Sequence, residues 1–245
     1  MAFADHFSAI SARYAAYRPH SPRELVDALA DRSPARDVAW DIGCGTGQLS
    51  VALGRRFARV IATDPAQAQL DQAEPAPHVE YRCAPAEASG LPDGSVDLAV
   101  AAQAAHWFDW PRFLVEVGGV ARPGALIALV TYGYGAFAGD APLIAFYRDV
   151  LGPYWPPERV HVENGYRDLV LPWPAVRAPE IAMTASWTRD ELLGYVATWS
   201  ATVKLVAKEG PGLVERLAAE LAQHWPDPDE RRTIRWPLTL NLARR

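Results

Sequence analysis

Asp41-Ile42-Gly43-Cys44-Gly45-Thr46-Gly47 sets an acid two residues ahead of three alternating glycines. The run follows the short apolar stretch Val38-Ala39-Trp40 and precedes Leu49, Val51 and Leu53, which recur at helical spacing. A strand-to-helix corner of this kind is where doubly wound sheets bind ligands. Glycines there let the backbone turn tightly and approach a ligand closely. The dinucleotide fingerprint is G-x-G-x-x-G. Counted from Gly43 its third glycine would fall on Gln48, and counted from Gly45 on Ser50, so neither register fits. An acid at the strand end would also repel a pyrophosphate, whereas it suits an amine or hydroxyls. Asp64 ends the next apolar run, where an acid can accept both hydroxyls of a ribose. Asp64 alone would suit NAD equally well; Asp41 and the glycine spacing are what speak against a nicotinamide oxidoreductase.

These residues need a scaffold. Strands are expected over Val38–Ile42, Arg59–Asp64, His78–Arg82, Val96–Val100 and Ala125–Val130, with helices over Leu49–Phe57, Ala66–Ala73 and Phe113–Val120 between them. Strands separated by helices demand a parallel sheet with right-handed crossovers, buried on both faces. Residues 38–130 therefore form a doubly wound α/β unit. Ahead of it, residues 2–30 read as helical, broken at Arg18-Pro19-His20-Ser21-Pro22, with Ser21 as the cap of the second helix. Behind it, residues 132–180 are rich in proline, glycine and aromatics and read as an inserted, partly helical cover. A strand over Glu180–Ser186, a helix capped by Thr188, a helix over Pro211–His224 and a final alternating strand over Ile234–Leu242 complete the chain.

Half of the 245 residues are apolar and 22% are charged, a globular composition. The net charge of −5 gives no electrostatic case for a nucleic-acid partner. Arg231, Arg232, Arg244 and Arg245 read as a solvated end. No stretch approaches the ~20 apolar residues of a membrane span, and the start lacks the pattern of a signal peptide. Two cysteines, Cys44 and Cys83, make no disulfide framework, so a reducing cytoplasm is the expected setting. The cysteines and six histidines show no metal-ligand spacing.

The glycine segment resembles motif I of class I S-adenosylmethionine-dependent methyltransferases. Leu91-Pro92-Asp93-Gly94-Ser95-Val96-Asp97-Leu98 resembles the LPF-x-x-x-S-F-D stretch of the methyltransferase type 11 group, and Arg122-Pro123-Gly124-Ala125 resembles its LKPGG turn. The resemblance covers residues 1–130 well and the remainder loosely. It implies a Rossmann-like α/β fold: a doubly wound, mostly parallel seven-stranded sheet with an N-terminal helix and a helical, aromatic insert after strand five. The implied organisation is a single domain. Residues 1–30 close over the cofactor, 38–130 bind it, 131–185 cover the substrate, and 186–245 supply the last helices and strand. Asp41, Gly43, Gly45 and Gly47, with Thr46 among them, would hold the methionine part of S-adenosylmethionine, which leaves as S-adenosylhomocysteine. Asp64 would bind the ribose, Pro65 would lie against the adenine, and Ala86-Glu87 would meet its edge.

Phe7, Tyr14, Tyr17 and Arg18-Pro19 are similar to the trans-aconitate methyltransferase-like subgroup. The likeness implies a leading helix whose Tyr14 and Arg18 touch the methionine end, Arg18 pairing its carboxylate. The run from Ala101 to Trp107 resembles the same subgroup, and places Ala102 and Gln103 beside the sulfonium. The activated methyl then needs an aligned nucleophile and little else. His106 is the candidate base, required only if the nucleophile arrives protonated; a carboxylate needs none. In the other reading His106 simply packs or hydrogen-bonds. No Asn/Asp-Pro-Pro-Tyr/Phe motif and no Pro-Cys pair follows strand four, which argues against the common amino- and pyrimidine-methylating chemistries. A small-molecule acceptor methylated on oxygen, by analogy a carboxylate, is expected. The alternatives are C-methylation of a quinone- or lipid-like ring, and a non-catalytic protein that binds the cofactor. Of Trp107, Trp110, Tyr132, Tyr134, Tyr154, Trp155, Trp173, Trp187 and Trp199, at least half are expected to be core and the rest could wall a flat, apolar acceptor site, while Arg148, Arg159 and Arg167 could bind an acidic one or form a solvated face. The oligomeric state stays open.

Overall fold

A computed structural model describes Pro19 and residues 21–245. The expected helix carrying Tyr14, Tyr17 and Arg18 lies outside the described residues. The chain then runs through α1 (Arg23–Arg32), β1 (Val38–Ile42), α2 (Gln48–Leu53), β2 (Arg59–Asp64), α3 (Gln67–Leu70), β3 (Val79–Cys83), β4 (Val96–Ala102), α4 (Trp110–Val120) and β5 (Ala121–Thr131). Two short helices, α5 (Ala141–Ala145) and α6 (Arg159–Glu163), lie in the insert. They are followed by β6 (Ala175–Val176), β7 (Ala182–Trp187), α7 (Arg189–Ala197), α8 (Ser200–Glu209), α9 (Gly212–His224), β8 (Arg232–Pro237) and β9 (Thr239–Arg244).

The main sheet has seven strands in the order β3-β2-β1-β4-β5-β9-β6. The first five strands in the chain pair in parallel, while β9 runs antiparallel to β5 and to β6. This is the expected mostly parallel, doubly wound sheet. Strand order reverses at the β1–β4 junction, and a crevice opens at the carboxyl ends of strands at such a point. The glycine loop leaves β1 there, and Gln103–Trp107 leaves β4 there.

Alternation along each strand feeds two cores. Ala39, Val60 and Leu98 face Leu29 of α1 and Leu53 and Phe57 at α2. Trp40, Ala99 and Ile127 face Phe113 and Val117 of α4. Both faces are covered, so these strands are short and continuously apolar, as parallel strands must be. Asp97 interrupts this apolar pattern for a reason. It is fully buried at the start of β4, accepts the N–H groups of Asp37 and Val38 at 2.9 and 3.0 Å, and meets Arg122 at 2.7 Å. It thereby pins the entry of β1 onto β4.

The C-terminal half departs from the sequence-based expectations. The alternating run expected as one final strand is two strands in different sheets. β8 pairs with β7 in a separate two-stranded sheet, and β9 enters the main sheet. The break falls at Pro237-Leu238, where proline removes a ladder donor. A further helix, α8, occupies a stretch to which the sequence reading assigns no element. Ser21 is not a cap: α1 begins after Pro22, without a side-chain bond. The arginine cluster is a solvated end only in part: Arg231 and Arg245 are exposed, and the other two are half-buried. Arg232 stacks on Trp225 at 4.7 Å, and Arg244 donates to the carbonyls of Gly124 and Arg32. A third apolar cluster, with Phe146, Leu192, Val196, Leu205, Trp225 and Trp236, unites the insert with the last helices. No helix among the described residues is long and apolar enough to cross a membrane.

Candidate active site

The glycine loop is tied to the end of β2. Gly43 and Cys44 donate their N–H groups to the carbonyl of Thr63 at 2.8 and 3.0 Å. Gly45 donates to one carboxylate oxygen of Asp64 and Ala66 to the other, each at 2.9 Å. Gly43, Gly45 and Gly47 all adopt left-handed backbone, with φ of 67, 56 and 80°, where a Cβ is costly. A Cβ on Gly43 would stand 2.5 Å from that of Ala104, and one on Gly47 would strike the Tyr81 ring. Gly45 differs: its Cβ direction meets only the Gln69 amide oxygen, at 3.9 Å.

Asp41 is 1% exposed and accepts the Ser50 hydroxyl at 2.6 Å. Burial pushes its carboxyl up to about 7; the Ser50 bond opposes that shift and the neighbouring Asp64 charge adds to it. Gln69 was not anticipated from sequence. Its side chain is 4% exposed, and its amide oxygen is buried with no hydrogen-bond partner among the described residues. An isolated glutamine in a short helix carries no sequence signal. The loop thus gathers Asp41, Gly43, Gly45, Thr46, Gly47, Asp64 and Pro65 at the ends of β1 and β2, with acceptors at 41, 64 and 69. This donor-poor, acceptor-rich surface with one open glycine fits a nucleoside that carries hydroxyls and an ammonium. Ala86 is buried nearby in sequence to β3, while the Glu87 carboxylate accepts the N–H of Asp109, ahead of α4, at 2.7 Å.

The end of β4 opens on a second space. A small cleft is lined by Tyr132, Tyr134, Tyr147, Trp155, Tyr195 and Trp199, together with Gln103 and His106. Gln103, at φ 56°, donates to the Tyr132 carbonyl at 2.7 Å and accepts the Thr131 hydroxyl at 2.6 Å. His106 Nδ1 lies 2.7 Å from the hydroxyl of fully buried Tyr166. Burial, with Arg159 and His161 nearby, pushes the His106 imidazole down to about 3, so it is neutral at physiological pH. Of the three arginines singled out in the insert, Arg159 lines the cleft, whereas Arg148 and Arg167 are exposed. The Arg159 guanidinium sits 4.6 Å from the centre of the Trp155 ring and donates twice to the Tyr147 hydroxyl, at 3.1 and 2.7 Å. Its carboxylate neighbour Glu163 stands at 3.9 Å. Tyr166 and Thr131 are also unanticipated members of the site, since one tyrosine in an aromatic-rich insert is not distinguishable by pattern.

A family model for the methyltransferase domain matches residues 40–129. A Dictyostelium discoideum protein named as a methyltransferase is 32% identical over 235 residues, spanning 93% of this chain and 89% of that protein. The chain belongs to the methyltransferase family. An uncharacterized methyltransferase of Mycobacterium tuberculosis is 31% identical over 218 residues, covering 89% of this chain and 85% of its own length. A solved structure described as a type II methyltransferase from Anaeromyxobacter dehalogenans has a TM-score of 0.88 and 44% identity, covering 93% of this chain and 98% of that one. The domain match stops at the end of β5, so most of the aromatic wall of this methyltransferase lies beyond it. Among the described residues no group of three His, Cys, Asp or Glu side chains is placed to hold a metal.

Proposed function

We propose that this methyltransferase methylates an oxygen of a small, apolar-bodied acid, with S-adenosylmethionine as the donor and a methyl ester and S-adenosylhomocysteine as products. In this reading the whole chain, 1–245, works as one unit. Asp41, Gly43, Gly45, Thr46 and Gly47 hold the methionine part, and Tyr14 and Arg18, outside the described residues, are proposed as further contacts to it. Asp64 takes the ribose, and Pro65, Ala86 and Glu87 border the adenine. Ala102 and Gln103 border the reacting centre. The bound cofactor supplies a methyl already activated on a sulfonium, open to in-line displacement.

The observation that carries the reading is Arg159 inside an aromatic cleft at the end of β4. A guanidinium there anchors one carboxylate oxygen and leaves the other to react, while aromatic walls exclude water and orient a flat body. A carboxylate arrives without a proton, so no base is required. His106, held neutral near 3, is a poor proton acceptor and serves as a hydrogen-bonding group instead. C-methylation of a quinone-like ring suits the aromatic walls, yet it requires removal of a C–H proton that His106, held near 3, is too weak a base to take. The resemblance of the leading segment and of the run after β4 to the trans-aconitate methyltransferase-like subgroup supports this reading.

The test is transfer of a labelled methyl from S-adenosylmethionine to a panel of small carboxylic acids and hydroquinones. Base-labile methyl esters are expected, with Arg159→Gln raising KM at least tenfold. Label recovered on ring carbon, or esters formed equally well by Arg159→Gln, would overturn the proposal.

A further inference from the structure

Arg159 and Glu163 stand one turn apart on α6, the spacing at which a guanidinium and a carboxylate ordinarily pair. Here they stay apart: Nε and Oε1 are separated by 3.9 Å, beyond hydrogen-bond reach. The Tyr147 hydroxyl joins them instead. The Glu163 carboxylate only accepts, so the phenol donates its one proton to Oε1 across 3.0 Å. The guanidinium only donates, so the same oxygen accepts from Nε at 3.1 Å and from Nη2 at 2.7 Å. Each role is forced by the partner, and the hydroxyl has nothing left to offer. Burial, opposed by Arg159 and aided by Glu163, pushes this phenol up to about 12, so it keeps its proton at physiological pH.

Two nitrogens that meet one oxygen in this way spend the side-on edge of the guanidinium. Of its five N–H donors three remain, both on Nη1 and one on Nη2, which form the end-on edge. No bond to Nη1 is made among the described residues, and Arg159 lines the cleft with the Trp155 ring 4.6 Å from its Cζ. We propose that Tyr147 is a positioning residue that sets acceptor specificity: its hydroxyl keeps Glu163 off Arg159 and leaves the end-on edge of the guanidinium as the anion-binding group of the cleft. The inference rests on the reading of this cleft as the acceptor site. Phenylalanine at 147 would keep the ring contacts with Tyr134, Trp155 and Trp199. It would also free the Glu163 carboxylate to close directly on Arg159. The guanidinium would then be neutralised from within, and an anionic acceptor would lose its partner. A neutral acceptor gains nothing from the arrangement, so the arrangement selects acids.

The experiment uses full-length protein, with benzoate, a flat aromatic acid, as the probe. Arginine is labelled with ¹⁵N, and the Arg159 Nε–H signal is assigned by its loss in Arg159→Gln. Before benzoate is added, this N–H should exchange with water at least about tenfold more slowly than those of the exposed arginines, because the phenol holds it. The dissociation constant of benzoate should rise at least about fivefold in Tyr147→Phe and return to within about twofold of wild type in Tyr147→Phe/Glu163→Gln. Glu163→Gln alone should bind benzoate at least as tightly as wild type. A Tyr147 that only packs the wall would leave the loss in place when Glu163 is changed, and that result overturns the proposal. So does a wild type that binds no benzoate. An Arg159 Nε–H as labile as those of the exposed arginines, or weaker benzoate binding by Glu163→Gln, overturns it even if no Tyr147 variant folds. The two readings fail separately. Benzoate binding that follows this pattern, with no ester formed from any acid, upholds the anion site and refutes the methylation of acids; esters formed with a KM unchanged in Tyr147→Phe refute the role of Tyr147 alone.

Discussion

Gly45 and Asp64 are joined by a 2.9 Å hydrogen bond, and through it the acid that ends β2 holds the glycine loop that leaves β1. The same carboxylate accepts the Ala66 N–H. A carboxylate offers about four acceptor positions, so one side chain can brace the loop and receive a ribose. Asp64→Ala should weaken S-adenosylmethionine binding by on the order of 1–3 kcal/mol through lost charge-assisted bonds. It should also lower stability by about 1–2 kcal/mol, because two backbone donors lose their partner. Asp64→Asn, which keeps one acceptor oxygen, should recover part of both. Calorimetric titration beside thermal unfolding separates the two effects, and unchanged affinity in the alanine variant would refute the ribose role.

Gly45 and Gly47 of the loop should respond differently to substitution. Gly45→Val introduces a side chain into open space at the cost of left-handed strain of about 1–2 kcal/mol. The fold should survive and cofactor binding should vanish, since the space is the one proposed for the ligand. Gly47→Ala drives a methyl into Tyr81 and should destabilise by more than the strain alone. Combining it with Tyr81→Ala should restore only the steric part. Circular dichroism melts and cofactor titrations on the four proteins decide it. A Gly45→Val protein that binds cofactor normally would remove the loop from the site.

The scaffold beneath these residues was largely legible, and the parts that were not have a common cause. Val38–Ile42 and Arg59–Asp64 appear with the expected boundaries. Buried parallel strands are apolar throughout and are followed by glycine or an acid, which local pattern can register. The run from Ile234 to Leu242 also alternates as expected, but alternation states which face is buried and not which strand lies alongside, so its division between two sheets was invisible. Asp41, Gly45 and Asp64 announced themselves by type and spacing. Gln69, Thr131 and Tyr166 did not, because their roles come from contacts between segments far apart in the chain.

Asp41 and His106 should give opposite limbs to the pH dependence of stability. The folded-state carboxyl of Asp41 is raised from 3.8 to about 7, so the folded state binds the proton more tightly than the unfolded chain. That contribution is fully present below about pH 4 and is lost as pH rises through 7. His106 is lowered from 6.5 to about 3; its contribution is present above 6.5 and is lost as pH falls towards 3. Asp41→Asn keeps an acceptor for Ser50 and removes the ionisation. Relative to wild type it should gain stability at pH 8, by up to on the order of 3–4 kcal/mol, and gain little at pH 4. Urea unfolding at the two pH values is the measurement. A gain that does not grow with pH would show that Asp41 is ionised at no cost in the fold.

Asp97 tests whether the sheet depends on one buried acid. Its carboxylate satisfies two N–H groups at the start of β1 and pairs with Arg122, whose side chain is 30% exposed. Removing one partner of a buried pair leaves the rest desolvated and unmatched, at a cost of about 3–5 kcal/mol. Asp97→Ala should approach that loss. Arg122→Ala should cost less, because Asp97 keeps its two backbone donors and the arginine was partly hydrated already. In the double variant the second substitution should add little, since the pair is coupled. Urea midpoints with unchanged m-values would carry the comparison. If Arg122→Ala proved the more damaging of the two, the ion pair rather than the backbone clamp would be what fixes β1 against β4.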